Sequence, residues 1–305
     1  KFWDNKQKIE SLEYLQHPRD KLQLIYLIYR IIDFFHLQKI FNFTRIKHYI
    51  KTNVDEWLDT IPLISLKNPD LYFCGIYLAN HLNVDLSEED KKKIEVFLLN
   101  LYEETVDEFD APLIEATDRL YYYVKSTEIT KLWFPEEEFH RIIHVEQKFF
   151  QSDYLRDLET SQLIVILKIC NWVGISKHIQ EQQVNAISDE ISRRITPEGI
   201  KQFREGFVSS EATYYVLFCY YMQDSLERLK DYDLVKHIVS RIYRNIEMIK
   251  FSKEMNFDLI SELFYSCESL KLLNCIETKE MILHLAKHLF PEPIVKEITK
   301  SETIA

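Results

Sequence analysis

The chain has 305 residues, of which 46% are hydrophobic, and a formal net charge of -11. This length and apolar content allow a large buried core. The acidic balance argues against a sequence-independent nucleic-acid binder, which needs clustered Lys and Arg to displace counterions from phosphates.

Four glycines and eight prolines are few for a sheet protein built on tight turns. They suit long helices joined by short polar loops, so an all-α fold is expected. Cys74, Cys170, Cys219, Cys267 and Cys275 are odd in number, form no CxxC pair and sit among Tyr, Phe, Leu and Ile. They read as buried thiols of a reducing compartment, and a cytoplasmic location is the default expectation. No segment reaches the roughly 18 uncharged apolar residues of a membrane span. The most apolar stretch, 22–37, is interrupted by Arg30 and Asp33, so an integral membrane protein is not expected.

In chain order, an acidic residue opens an apolar, aromatic-rich helical run six times: Asp20, Asp70, Glu115, Glu159, Glu211 and Glu262, at intervals of 44 to 52 residues. Each run predicts a first helix, and a more charged second helix follows about 20 residues later, the scale of a helical-hairpin repeat. The pairs are 20–37 with 44–58, 70–82 with 88–104, 115–125 with 136–150, 159–173 with 177–194, 211–222 with 233–249, and 262–273 with 278–289. A lone hairpin cannot bury its apolar face, so the repeats should stack into one domain over 1–290, with 291–305 as a polar tail. Pro18, Pro69 and Pro112 lie just upstream of three first helices, where a missing N–H costs little. Ser209, Ser210 and Ser261 are candidate caps, and Ser87 with Asp90 has the capping-box pattern.

Two faces emerge when positions are counted from each acidic residue. At five and eight residues on, the column is nearly all apolar, as in Ile25, Leu120, Ile164 and Val216 at the first position. This is a packing stripe. At three, seven and ten residues on, aromatic and polar groups mix: Phe73, Asp118, Tyr214 and Tyr265, then Tyr77, Tyr122 and Phe218, then Arg30, Lys125 and Tyr221. The charged second helices already supply an exterior, so a mixed stripe on a first helix points to a partly hydrated cavity.

Six hairpins with first helices inside and second helices outside describe an (α/α)6 toroid, or barrel. At 207–217 (FVSSEATYYVL), at 114–122 (IEATDRLYY) and more loosely from Asp258 onward, the chain resembles the repeat of the protein-prenyltransferase β-subunit and terpene-cyclase superfamily. The resemblance spans most of the chain and lies in the repeat pattern. It implies an α/α toroid whose central cavity takes an isoprenoid-like ligand. The family's catalytic motifs are not found. There is no DxDD acid and no QW repeat, the Gly-Gly-Phe linker is reduced to Glu205, Gly206 and Phe207, and Asp70 with Cys74 has the wrong spacing for the zinc pattern.

Candidate chemistry follows from these residues. The six acids can attract a cation or hold Mg²⁺ against a diphosphate, or simply complement helix dipoles. The aromatic stripe can line an apolar pocket or fill a wide core. His140 with His144, and His284 with His288, have the i, i+4 spacing of zinc ligands, but neither pair has a third ligand, and no metal site is expected. Asp118, Arg119, Lys125 and Arg30 are charges on apolar helices, which must join an ion-pair network or a polar ligand site.

The expected function is binding of an extended apolar, isoprenoid-like ligand by Arg30, Phe73, Tyr77, Asp118, Arg119, Tyr122, Lys125, Tyr214, Phe218, Tyr221 and Tyr265. Whether the chain is an enzyme is left open. A prenyltransferase- or cyclase-like activity would make Asp118 the candidate catalytic residue and would bring Mg²⁺ with a prenyl diphosphate; otherwise no cofactor is expected. The alternative is a non-catalytic helical-repeat protein that binds a peptide or protein partner.

Overall fold

A computed structural model describes residues 18–39, 41–58, 69–107, 111–132, 143–144, 151–172, 181–222, 224–229, 233–251 and 257–273, with Glu292 and Lys296. Among these the chain is mostly helical. The elements in order are α1 (Pro18–Phe34), α2 (Thr44–Thr52), α3 (Val54–Leu58), α4 (Leu71–His81), α5 (Glu88–Asp107), β1 (Ala111–Pro112), α6 (Leu113–Thr130), β2 (Ile143–His144), α7 (Ser152–Asp157), α8 (Thr160–Trp172) and α9 (Glu181–Ser192). There follow β3 (Ile195–Thr196), β4 (Gly199–Ile200), α10 (Ser210–Met222), a 3-10 turn (Leu226–Leu229), α11 (Leu234–Phe251) and α12 (Phe257–Leu272). No helix among the described residues is long and apolar enough to cross a membrane.

All six first helices are present as α1, α4, α6, α8, α10 and α12. The second helix of the first pair is split into α2 and α3 around Asn53. The expected helix at 136–150 is not helical at Ile143–His144, which pairs as a parallel strand with Ala111–Pro112. Two residues of backbone pairing need no alternating pattern, which is why the sequence carries no sign of it. That strand also removes the i, i+4 helix face proposed for His140 and His144. The expected helix at 278–289, with His284, His288 and nearby Cys275, lies outside the described residues, as does the expected tail apart from Glu292 and Lys296.

The chain folds as two compact units. One, here the split unit, comprises Lys1–Ile46, Ile195–Gln202 and Gly206–Ala305; the other, the central unit, comprises Lys47–Arg194 and Phe203–Glu205. In the split unit α12 packs against α1, α10 and α11, and β4 packs against α10 and α11. In the central unit α6 lies between α4 and α8, α3 packs on α4 and α5, and α9 packs on α7 and α8.

Burial separates the two kinds of helix. Leu71 to Ala79 of α4 are all buried, and so are most of α10 up to Leu217 and of α12 from Ile260 to Leu270. A helix buried all round is an interior helix. Among the described side chains of α5 only Ile94 and Leu98 are buried, and α11 buries Leu234, Ile238, Ile242 and Ile246 at four-residue steps while exposing Lys236 and Glu247. Such one-sided stripes belong to an outer layer.

Helix ends recur with the same chemistry. His36, Asn83, Lys131 and Asp224 each adopt a left-handed backbone, with φ of 53°, 51°, 60° and 49°. In each case the next N–H bonds back five residues: Leu37 to Ile32, Val84 to Ala79, Leu132 to Thr127 and Ser225 to Tyr220, at 2.9 to 3.2 Å. This is the Schellman stop, made here four times without glycine. At helix starts, Ser87 Oγ accepts from the Asp90 N–H at 3.1 Å and Asp90 accepts from the Ser87 N–H at 3.3 Å, completing the capping box. Ser209 caps α10 through the Ala212 N–H at 2.9 Å. Ser261 lies inside α12 rather than capping it, because that helix begins four residues earlier at Phe257.

Candidate functional site

In the central unit, aromatic rings of adjacent first helices meet. Phe73 of α4 lies 5.0 Å from Tyr122 of α6 and 6.0 Å from Tyr77, centroid to centroid. Tyr77 stacks on His81 at 3.8 Å. Helical spacing accounts for this, since Phe73, Tyr77 and His81 follow at four-residue steps and share one side of α4. Into the cluster reaches Lys125, whose Nζ sits 5.0 Å from the Phe73 centroid, 5.8 Å from Tyr122 and 4.9 Å from Tyr121. A second amine, Lys168 of α8, lies 4.2 Å from the Trp172 centroid and 5.6 Å from Tyr121. Burial pushes the Lys168 ammonium down to about 8, and Glu128 pulls the other way.

At the N-terminal end of α4, the Asp70 carboxylate is buried and makes no side-chain cap bond to its helix. Burial, and then the Asp70 charge, push the Tyr72 phenol and the Cys74 thiol well above their usual ranges. Burial raises Cys219 to about 11 and Cys170 to about 12, and pushes Cys267 well above its usual range. None of the four described cysteines is bridged, and none is a thiolate nucleophile at neutral pH.

In the split unit, Tyr214 of α10 lies 5.5 Å from Tyr265 of α12 and 6.1 Å from Phe218. Arg30 of α1 pairs with Glu268 of α12 at 2.8 Å and donates to the Tyr26 hydroxyl at 2.8 Å. Its guanidinium lies 5.1 Å from the Phe264 centroid. Arg30 is thus one half of an ion pair joining α1 to α12.

Two of the acidic helix starts, Glu211 and Glu262, are occupied within the split unit. Glu262 accepts the Ser210 N–H of α10 at 3.3 Å and receives Arg241 at 3.4 Å. Arg241 also donates to the Val208 carbonyl at 2.6 Å and to Ser210 Oγ at 3.2 Å, while Ser266 donates to Ser210 Oγ at 2.8 Å. Glu211 accepts from Gln202 at 3.2 Å. Glu262 therefore caps its neighbour's N-terminus rather than its own, a use of the dipole across helices.

A second polar knot holds the central unit. Arg194 is fully buried and donates to Leu155 O at 2.9 Å, Arg156 O at 3.2 Å, Leu158 O at 2.8 Å, Thr160 Oγ1 at 3.1 Å and Glu190 Oε1 at 2.9 Å. Glu190 also takes a close ion pair from Arg204. Burial pushes the Glu190 carboxyl up, but the hydrogen bonds and charges of Arg204 and Arg194 outweigh it and hold the group below its usual range.

Of the residues expected at a site, Phe73, Tyr77, Tyr122 and Lys125 come together in the central unit, and Tyr214, Phe218 and Tyr265 in the split unit. Tyr221 is 51% exposed near the end of α10. Asp118 and Arg119 lie on α6, with side chains outside the described set. Tyr121, Lys168 and Trp172 were not expected, because they fall between the compared columns. The signal for Lys168 was nonetheless present: it is the single charge in the run Leu163 to Cys170. Among the described residues no group of three or more His, Cys, Asp or Glu is placed to hold a metal ion. In comparisons with known proteins, the chain matches no protein-family model, no curated protein and no solved structure.

Proposed function

We propose that the chain is a closed (α/α)6 toroid that binds an extended apolar, isoprenoid-like ligand on the aromatic face of its first helices. The observation that carries this reading is the ring-to-ring placement of mixed-face aromatics from adjacent first helices, Phe73 with Tyr122 and Tyr214 with Tyr265. Apolar sites are built this way, from aromatic walls with a few polar groups to orient the ligand. Packing of α1 against α12 supports closure, since a ring brings its first and sixth hairpins side by side. The repeat resemblance favours an isoprenoid. An enzyme of prenyltransferase or cyclase type would act through Asp118 with Mg²⁺ on a prenyl diphosphate, and unchanged turnover in Asp118→Asn would remove that role.

The test is titration of the folded chain with farnesol, followed by tryptophan fluorescence, beside Phe73→Ala and Tyr214→Ala variants. Saturable one-to-one binding, weakened at least fivefold by either substitution, supports the reading. No saturable signal, together with an organic extract of the purified protein free of lipid, refutes it.

A second reading, a helical-repeat protein that takes a peptide or protein partner, is favoured by Phe207, whose ring is 93% exposed. A large apolar ring so exposed suits an interface anchor. Capture of a partner by the wild-type chain and its loss with Phe207→Ser would favour this reading; equal capture by both would reject the anchor.

A further inference from the structure

We propose that Asn42 is the acceptor of an N-linked sugar, displayed to a glycosyltransferase with Thr44 as the recognition hydroxyl. The site goes beyond the apolar-ligand reading above, because it lies on the exposed connection between α1 and α2 and shares no residue with the aromatic face.

Asn42, Phe43 and Thr44 are the single place in the sequence where an asparagine is followed two residues later by serine or threonine, the pattern of an N-glycan acceptor. The fold displays it. On the way into α2 the side chains alternate inward and outward: Phe41 is buried, Asn42 exposed, Phe43 half-buried and Thr44 exposed. Extended backbone turns successive residues to opposite sides in this way. The Phe43 ring lies edge-on to Tyr29 of α1 at 5.6 Å and 6.4 Å from Phe41, centroid to centroid, so the middle residue anchors the segment. Its two neighbours are left in water. There Asn42 Oδ1 accepts the Thr44 N–H at 2.9 Å, an Asx turn that fixes the carboxamide. Neither Asn42 Nδ2 nor Thr44 Oγ1 has a partner among the described residues. The two groups a transferase must meet, amide nitrogen and hydroxyl, are thus both held at the surface and both open.

A carboxamide nitrogen is a weak nucleophile because its lone pair is shared with the carbonyl. As its proton leaves, charge gathers on Oδ1, where the Thr44 N–H already points, and a donor placed where charge develops stabilises it. Nδ2 attacks the anomeric carbon of a glycosyl diphosphate, a C–N bond forms, and the anomeric C–O bond breaks with its electron pair leaving on the diphosphate. The Nδ2 proton passes to a base of the transferase. One asparagine and one glycosyl diphosphate give one N-glycosyl asparagine, one diphosphate and one proton, with no oxidant or reductant. The diphosphate is carried by a nucleoside for a soluble transferase and by a lipid for a membrane-bound one; the chemistry at Asn42 is the same for both.

The experiment offers the folded full chain two donors in separate arms: UDP-glucose with a soluble N-glycosyltransferase, and a lipid-linked oligosaccharide with a membrane oligosaccharyltransferase. Peptide mass mapping reads every asparagine in both arms and in protein isolated from the cells that make it. Asn42 should be at least tenfold more occupied than any other asparagine in one arm or the other, which names the donor, and should carry sugar in the native protein. Asn42→Asp keeps an oxygen for the Thr44 N–H, so it should melt as the wild type does while losing the sugar. Thr44→Val keeps that N–H and removes the hydroxyl, and it should cut occupancy at least tenfold, while Thr44→Ser retains most of it. A bare Asn42 in the native protein or in both arms overturns the proposal, and so does occupancy that Thr44→Val leaves unchanged.

Discussion

Replacing Arg194 with methionine tests whether one buried guanidinium fastens α7, α8 and α9 together. The substitution keeps the volume and removes five donations: three to backbone carbonyls, one to Thr160 and one to Glu190. Leu155 and Arg156 supply carbonyls from the last turn of the six-residue α7, and Leu155 O keeps the Leu158 N–H at 3.3 Å when Arg194 is gone. Each buried acceptor left unmet costs about 1 kcal/mol or more. Glu190 loses one of the three arginines paired with it, Arg193, Arg194 and Arg204, and breaking a buried pair costs about 3 to 5 kcal/mol when nothing else compensates. Arg204 remains, so the charge is not abandoned, and a total of about 3 to 5 kcal/mol is expected. At about 2 °C per kcal/mol for a chain of this size, the melting temperature falls by about 6 to 10 °C. Urea denaturation followed by far-UV circular dichroism measures it. The double variant Arg194→Met, Glu190→Gln should lose less than the two single losses added together, since the uncompensated charge is gone. A single-variant loss below 1 kcal/mol, or strict additivity, refutes the account.

Other substitutions follow from the same structure. A Cβ at Gly75 would run into the six-membered ring of Trp57, itself buried and bonded through its indole N–H to Ile50 O at 3.0 Å. Gly75→Ala should therefore cost about 1 to 3 kcal/mol by overpacking, despite alanine's better helix propensity, and calorimetry would show the sign. Lys131→Gly should stabilise by about 1 kcal/mol, because the left-handed backbone at that helix stop penalises a side chain; a loss of stability by thermal melting would contradict this. Lys168 is lowered to about 8 in the fold, so the unfolded chain binds more protons between that pH and about 10.4. Its contribution to stability thus rises with pH across that window. The buried Tyr and Cys groups are raised and act in the opposite direction, so the measurement is the difference in urea midpoint between wild type and Lys168→Met, expected to grow from pH 7.5 to 9.5. Arg30→Met should destabilise more than Arg30→Met with Glu268→Leu, since the double variant leaves no carboxylate stranded between α1 and α12.

Local signals proved readable wherever a few adjacent residues decide the outcome. The capping box at Ser87, the cap at Ser209 and the six apolar first helices are examples, each set by spacing along one helix. What stayed hidden depends on pairing between distant segments. Nothing near Arg30 announces Glu268, and nothing near Glu262 says that its carboxylate serves Ser210 of another helix. The two-residue strands at Ala111 and Ile143 are made by backbone alone. The helix stops at His36, Asn83, Lys131 and Asp224 were obscured for another reason, since only Asn is a usual left-handed substitute for glycine there. Rings from the aromatic columns meet across neighbouring helices, yet Tyr121 and Lys168 fell between the columns because a 3.6-residue period drifts past any fixed set of integer offsets.

The split unit draws its helices from both ends of the chain, with α1 separated from α12 by more than two hundred residues. During synthesis on the ribosome, α1 emerges well before α12, the helix it packs against, has been made. The central unit, contiguous except for three residues, has its partners at hand much sooner. Closing the long chain loop costs entropy before any contact repays it, which makes docking of α1 a late event in folding. Truncation before Phe257 would strand that helix and leave its leucines and isoleucines as the surface on which nascent chains aggregate.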